Sequence, residues 1–178
     1  MARIVGYIGA SIDGYIAAPD GSLAWLTKYD GMDLGAHSYE NFIQRIRTVV
    51  MGRETYEFFE REDVPWPYAG LRAIVVTSRP IPAPRGPVET WSRGVDALIA
   101  ELRSLADGDV WMLGGGRLQM AFLERGALDE IEIFVVPEMI GGGAPLFPAT
   151  GFGASPELVS ATAIPPGCVR LHYRFTGA

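Results

Sequence analysis

Apolar positions in this chain keep two rhythms. Short runs of large and β-branched apolar residues, each closed by a turn residue, alternate with longer stretches where apolar residues recur every three or four positions. "RIVGYIGAS" (3–11) is a run of the first kind, closed by the turn residues of "IDGY", and predicts a buried strand. "HSYENFIQRIR" (37–47) sets Tyr39, Phe42, Ile43 and Ile46 on one helical face, with Ser38 as its N-cap. "TVVMG" (48–52) predicts a short strand stopping at glycine, and "RETYEFFERED" (53–63) a helix. "LRAIVVTS" (71–78) reads as another buried strand, followed by the proline-rich loop "RPIPAPRGP" (79–87). "VETWS" (88–92) reads as strand, and "GVDALIAELRSLA" (94–106) as a helix with Leu98, Ile99 and Leu102 inward. "DVWML" (109–113) predicts a strand and "RLQMAFLERG" (117–126) a helix with Gly126 at its C-terminal cap. "DEIEIFVVPEMI" (129–140) begins with the alternation of a strand, and "ELVSATAI" (157–164) and "CVRLHYRFT" (168–176) close the chain as strands around a "PPG" turn.

Strands alternating with helices as far as residue 125, then strands alone, predict an α/β fold: a mostly parallel sheet with antiparallel additions at one edge. No repeat, low-complexity tract or linker interrupts the pattern, and the loop 79–87 is too short to separate domains. Residues 1–178 are therefore expected to form one domain, long enough to bury roughly two-thirds of its unfolded surface. A hydrophobic content of 48% with 20% charged residues agrees. The net charge of −6 argues against a nucleic-acid partner, because no basic stripe is available to replace phosphate counterions. The single cysteine, Cys168, has no disulfide partner, and no Cys/His spacing suggests a metal. "MARIVGYIGAS" is too short and too interrupted for a signal peptide or a membrane span, so a cytoplasmic protein is expected.

Candidate chemistry gathers at three strand ends. "VVMGRETYE" and "VWMLGGGRLQ" each run from an apolar strand through glycine directly into a helix. That layout presents free backbone N–H groups at a helix N-terminus, where the macrodipole also favours an anion. "IVVTSRP" ends a strand with two hydroxyls and a guanidinium, natural ligands for an exposed phosphate. All three lie at C-terminal strand ends, the edge at which open α/β sheets bind ligands. The dinucleotide fingerprint G-x-G-x-x-G fits poorly, because Gln119 stands at its third glycine, so a standard Rossmann domain is not expected.

With "SIDGYIA" near the N-terminus and "VVPEMIGGGAPLF" later, these segments resemble, in order and spacing, the dihydrofolate reductase-like folds. Within them the chain is most similar to the reductase domain of the bifunctional deaminase-reductase of riboflavin biosynthesis, over essentially its whole length. No zinc-ligand pattern precedes these motifs, and no deaminase domain is expected. The resemblance implies a three-layer fold and an NADPH cofactor. It would place Gly52, Arg53 and Thr55 on the phosphates and Thr77, Ser78 and Arg79 around the adenosine ribose and its 2′-phosphate. It would set Gly114, Gly115, Gly116, Arg117 and Leu118 along the pyrophosphate and nicotinamide ribose, with Ile16 beside the nicotinamide ring. The three glycines would be bare so that a dinucleotide can lie against the backbone.

The pterin side departs from that pattern. Ser22, in "DGSLAWL", stands where pterin reductases carry a carboxylate, and Val135 where they carry a threonine. Serine does not ionise near neutral pH, so authentic dihydrofolate reduction is not expected. Glu138, after Pro137 and near the second glycine cluster, is the preferred pocket carboxylate, with Asp13 and Asp20 as further candidates that equally suit Asp-Gly turns. Trp25, Trp66 and Phe147 could wall a flat substrate or fill the core, whereas His37 and His172 read as surface or packing residues. The expected function is hydride transfer from NADPH to a small heterocyclic or imine-bearing substrate by a homodimer, with the alternating "DEIEIFVV" read as an edge and, with late strands such as "CVRLHYRF", as surface a partner could cover. A stand-alone reductase of a pterin-like or xenobiotic substrate, and a dinucleotide-binding protein without turnover, are the alternatives. NADPH is favoured over NADH by Arg53 and Arg79, with no acidic residue in either segment before Glu54.

Overall fold

In the computed structural model, which describes residues 1–62 and 64–175, the apolar runs become strands, and those in the middle of the sheet are buried on both faces. Asp63, ending the helix expected over 53–63, and Thr176, ending the last expected strand, lie outside the described residues. The elements in chain order are β1 (Ile4–Ser11), β2 (Tyr15–Ala17), α1 (Ala24–Thr27), α2 (Tyr39–Ile43), β3 (Ile46–Gly52) and α3 (Arg53–Arg61). There follow β4 (Arg72–Val76), β5 (Val88–Trp91), α4 (Val95–Ser104), β6 (Asp109–Gly114) and α5 (Gly116–Leu123). The chain finishes with β7 (Glu130–Val136), β8 (Ala144–Pro145), β9 (Glu157–Ile164) and β10 (Cys168–Arg174).

Eight strands form one sheet in the order β5-β4-β3-β6-β1-β7-β10-β9. The pairs from β5 through β7 are parallel, while β10 runs antiparallel to both β7 and β9. Period-2 alternation sorts the strand residues into two cores. Ile4, Val50, Ile74, Val110 and Met112 pack with Leu98 and Leu102 of α4 and Met120 and Phe122 of α5. Their neighbours Val5, Val49, Met51, Ala73, Val75 and Trp111 face the other way, onto Phe42 of α2 and Tyr56 of α3. Helices thus cover both faces of the sheet, which is why its strands read as unbroken apolar runs.

Two expectations change. The helix predicted over 37–47 is a single short helix, α2, with the Ser38 hydroxyl accepting from the Asn41 N–H; Ile46 already belongs to β3 and is fully buried there. The "DEIEI" alternation does not mark an outer strand, because β7 lies inside the sheet between β1 and β10. Glu132 is therefore buried, and Arg170 of β10 donates to its Oε2 at 2.6 Å. A short two-stranded sheet of β2 with β8, which no periodicity in the sequence signals, closes over the C-terminal ends of the parallel strands.

Candidate functional site

Register creates the opening. β1 pairs with β6 only through Ile4, Val5 and Gly6, yet continues beside β7 as far as Ser11. Beyond Gly6 the two central strands diverge, and the Tyr7 carbonyl, without a ladder partner on that side, accepts from the Trp111 indole N–H at 3.3 Å. A cleft of about 1270 Å³ opens there, between the C-terminal ends of β1, β3, β4 and β6 and the small β2–β8 sheet. Small-molecule pockets span about 300–1,000 Å³, so this one has room for a cofactor and a second molecule together.

One wall is backbone. Gly52 is the N-cap of α3 and Gly115 the N-cap of α5, and neither helix start receives a side-chain cap. The pairing of Met51 with Gly114 sets the two starts side by side; a Cβ on Gly52 would lie 3.9 Å from the Gly115 nitrogen. Two helix N-termini with uncapped first turns therefore face one volume, a natural seat for an anion such as a pyrophosphate. The three glycines are bare for three different reasons. Gly114 has φ of +142°, a conformation that side chains rarely adopt. A Cβ on Gly116 would come within 2.5 Å of the Pro145 carbonyl oxygen, so that glycine admits the protein's own chain. At Gly115, where φ is an ordinary −66°, a Cβ would meet nothing closer than the Thr55 hydroxyl, at 3.5 Å, so its bareness leaves the cleft wall open.

Of the residues expected on the cofactor, Ile16, Gly52, Arg53, Thr55, Arg79, Gly114, Gly115, Gly116, Arg117 and Leu118 line the cleft together. Thr77 and Ser78 do not: the Thr77 hydroxyl accepts from the Arg79 N–H at 3.0 Å and shapes the turn that carries Arg79. Arg53 is largely committed to the protein, donating to Glu57 at 2.8 Å and to the Pro80 carbonyl at 3.1 Å. Arg117 is exposed and makes no ion pair or hydrogen bond among the described residues, so its guanidinium is available to a ligand.

The substrate-side expectations need correction. Neither Asp13 nor Glu138 lines the cleft. Asp13 accepts from the amides of Ile140 and Gly141, and hydrogen bonds from Ser11 first and then those amides hold its carboxyl below the ordinary carboxylate range. Glu138 accepts from Lys28 Nζ and the Tyr29 hydroxyl, each at 3.0 Å, which likewise holds its carboxyl low. A carboxylate so satisfied stays charged and has little tendency to act as an acid. Ser22 stands one residue before the N-cap of α1, Leu23, and its hydroxyl accepts from the Ala24 N–H in a local turn; Trp25 is buried against Phe134 and Cys168; Val135 is half-buried in the sheet beside Ala10. Each is held away from the cleft by a local or core partner that the linear sequence does not show.

Aromatic residues take their place. Tyr7, Tyr39, Phe58, Phe59, Tyr68 and Trp111 line the same cleft as a chain of ring contacts, with Tyr68 edge-on to Trp111 at 5.8 Å between centroids. Burial pushes the Tyr7 and Tyr68 hydroxyls well above the ordinary phenol value, so both stay neutral. The Tyr7 hydroxyl donates to the His37 carbonyl. None of these aromatics is marked as a site residue by spacing alone; the available signal is that Trp111 sits in the strand entering the triple-glycine turn. Among the described lining residues the acids are Asp20, Glu54 and Glu57, and there is no histidine.

Comparison with known proteins agrees with this geometry. Residues 3–170 match the RibD C-terminal domain family. The uncharacterised protein YwjB of Bacillus subtilis is 35% identical over 145 residues, 82% of either chain. A solved structure of a candidate riboflavin biosynthesis protein from Shewanella sp. PV-4 superimposes with a TM-score of 0.84 at 27% identity, covering 99% of both chains. RibD of Acinetobacter baumannii shares the fold at a TM-score of 0.71 and 18% identity, over 99% of this chain and 58% of its own. Among the described residues, no helix is long and apolar enough to cross a membrane, and no cluster of side chains could hold a metal.

Proposed function

The chain belongs to the RibD C-terminal domain family, and on that premise we propose that it is an NADPH-dependent reductase acting on a small heterocyclic or imine-bearing substrate. The substrate type is that of 5-amino-6-(5-phosphoribosylamino)uracil, named for a RibD-like enzyme of Thermotoga maritima with which the chain shares the fold. The observation that carries this reading is the pair of uncapped helix starts at Gly52 and Gly115, side by side on a cleft that an aromatic cluster also lines. A reduced nicotinamide supplies the hydride when bound. The protein's role is to hold and orient. The N–H groups of α3 and α5 would take the pyrophosphate, Arg79 the 2′-phosphate, and Ile16 and Leu118 the apolar ring. The aromatic cluster would stack a flat ring, with Arg61 at its margin for a phosphate. Serine, which does not ionise near neutral pH, stands at position 22 where pterin reductases carry a carboxylate, and this argues against dihydrofolate.

The test is loss of NADPH absorbance across a panel of pyrimidine and pterin substrates. Oxidation with the aminouracil ribosyl phosphate and little with dihydrofolate is expected. Robust dihydrofolate turnover would overturn the substrate reading. Tight NADPH binding with no turnover on any substrate would leave a binding protein.

A further inference from the structure

Helix periodicity returns an acidic group to the place where the 2′-phosphate is expected. Glu57 lies one turn beyond Arg53 on α3, and its Oε1 accepts from Arg53 Nε at 2.8 Å. The same oxygen stands 3.7 Å from Arg79 Nη2. Glu57 lines the cleft with both arginines, and its side chain is 37% exposed. Arg53, at 19%, is also fixed by the Pro80 and Arg79 carbonyls, so it keeps little freedom to turn towards a ligand. Arg79, at 70%, stands largely in solvent. One carboxylate thus sits between the two cations of the subsite and already neutralises some of their field.

We propose that Glu57 sets how strongly this cleft distinguishes a phosphorylated from an unphosphorylated ribose. The inference rests on the dinucleotide reading above. A ribose 2′-hydroxyl can donate to a carboxylate, whereas a 2′-phosphate meets its charge. At roughly 5 Å in high dielectric, the repulsion between one carboxylate and a doubly charged phosphate is worth about a tenfold change in affinity. Glu57 therefore works against Arg79 and moderates an NADPH preference that Arg79 alone would make steep. The cleft accepts both dinucleotides, with NADPH ahead by less than its arginines imply.

Equilibrium binding to the whole protein, followed by calorimetry, tests this with NADPH, NADH, and the fragments adenosine 2′,5′-bisphosphate and adenosine 5′-monophosphate. Glu57→Gln keeps an oxygen for Arg53 and removes the charge. It should raise the NADPH-to-NADH affinity ratio about tenfold, and shift the fragment pair in the same direction. The gain should shrink in high salt and should persist when Glu57→Gln is made in the Arg79→Ala background, because the repulsion acts directly on the phosphate. Thermal melts confirm that each variant is folded. A ratio unmoved by Glu57→Gln, or both cofactors tightened alike, would overturn the role of Glu57. Failure of the unaltered protein to bind either dinucleotide would instead overturn the cofactor reading itself.

Discussion

At the scale of single residues, neighbouring positions of the same type do different work. Gly115→Ala places its Cβ in ordinary contact with the Thr55 hydroxyl, at φ of −66°. It should fold nearly as well as the parent yet weaken NADPH binding, since the methyl group projects where the pyrophosphate would lie. Gly116→Ala drives its Cβ to 2.5 Å from a backbone oxygen and 2.9 Å from Pro148, neither of which can step aside cheaply. A loss of about 1–3 kcal/mol is expected, read by urea melts. Equal melting of the two variants would show that the glycines are interchangeable. Ser22 gives a second residue-scale prediction. Its hydroxyl accepts from the Ala24 N–H two residues on, at 3.1 Å, a turn contact that aspartate also makes. Ser22→Asp should therefore retain stability within about 0.5 kcal/mol and gain no measurable affinity for antifolates. A gain would put the side chain in the cleft after all.

At the scale of elements, the cleft depends on how loops are tied across the sheet's end. The Asp13 carboxylate joins the β1–β2 turn to the segment after β7 through the Ile140 and Gly141 amides, at 3.2 and 2.7 Å. The Ile12 amide donates to the Glu138 carbonyl alongside, and the Leu146 amide donates to the Gly14 carbonyl, so β2 and β8 are held as a pair. The folded state lowers the pKa of Asp13, so its contribution is fully present above the unfolded value of about 3.9 and lost as pH falls through the lower folded value. Amide exchange at Gly141, corrected for intrinsic rate, should lose protection on acidification through that window. Asp13→Ala should lose it already at neutral pH while the protection of β3 and β6 persists. Unchanged protection at Gly141 in the variant would assign the tie to the backbone bonds alone.

At the scale of the whole molecule, the two ends of the sheet differ. At the β5 end Glu89 takes a paired contact from Arg72, and charges cover the edge. At the other end β9 pairs only with β10, and Leu158, Val159 and Val169 stand exposed at 52%, 38% and 39%. An uncovered apolar edge strand is a site for pairing with another chain. The homodimer expected from the sequence is therefore proposed through β9 and β10 and not through β7, which the sheet encloses. Solution scattering at micromolar concentration should give a mass near twice 19.3 kDa, and Val159→Lys should lower it towards the monomer. A monomer mass for the unaltered chain would reject the pairing.

The kind and order of the regular elements were written in the sequence. A period of two or of three to four residues is a local property, and so is a glycine that stops a strand and starts a helix. From these came the parallel sheet, its antiparallel finish, and the two strand-glycine-helix turns at Gly52 and Gly115. Three short elements, α1, β2 and β8, of four, three and two residues within turn-rich segments, are not legible there. What only the tertiary structure decided was which partners those residues meet. β6 inserts between β3 and β1, and the divergence of β1 from β6 makes the cleft. Glu138 is drawn to Lys28 and Asp13 to Gly141, partners 110 and 128 residues away in the chain, so two of the three candidate carboxylates leave the site and Asp20 alone stays on its lining. Glu57 enters it, because Arg79 is brought across from the end of β4 to a helix face that already held Arg53. Hydrogen-bond and charge partners of this kind depend on distances in space, and no spacing along the chain encodes them.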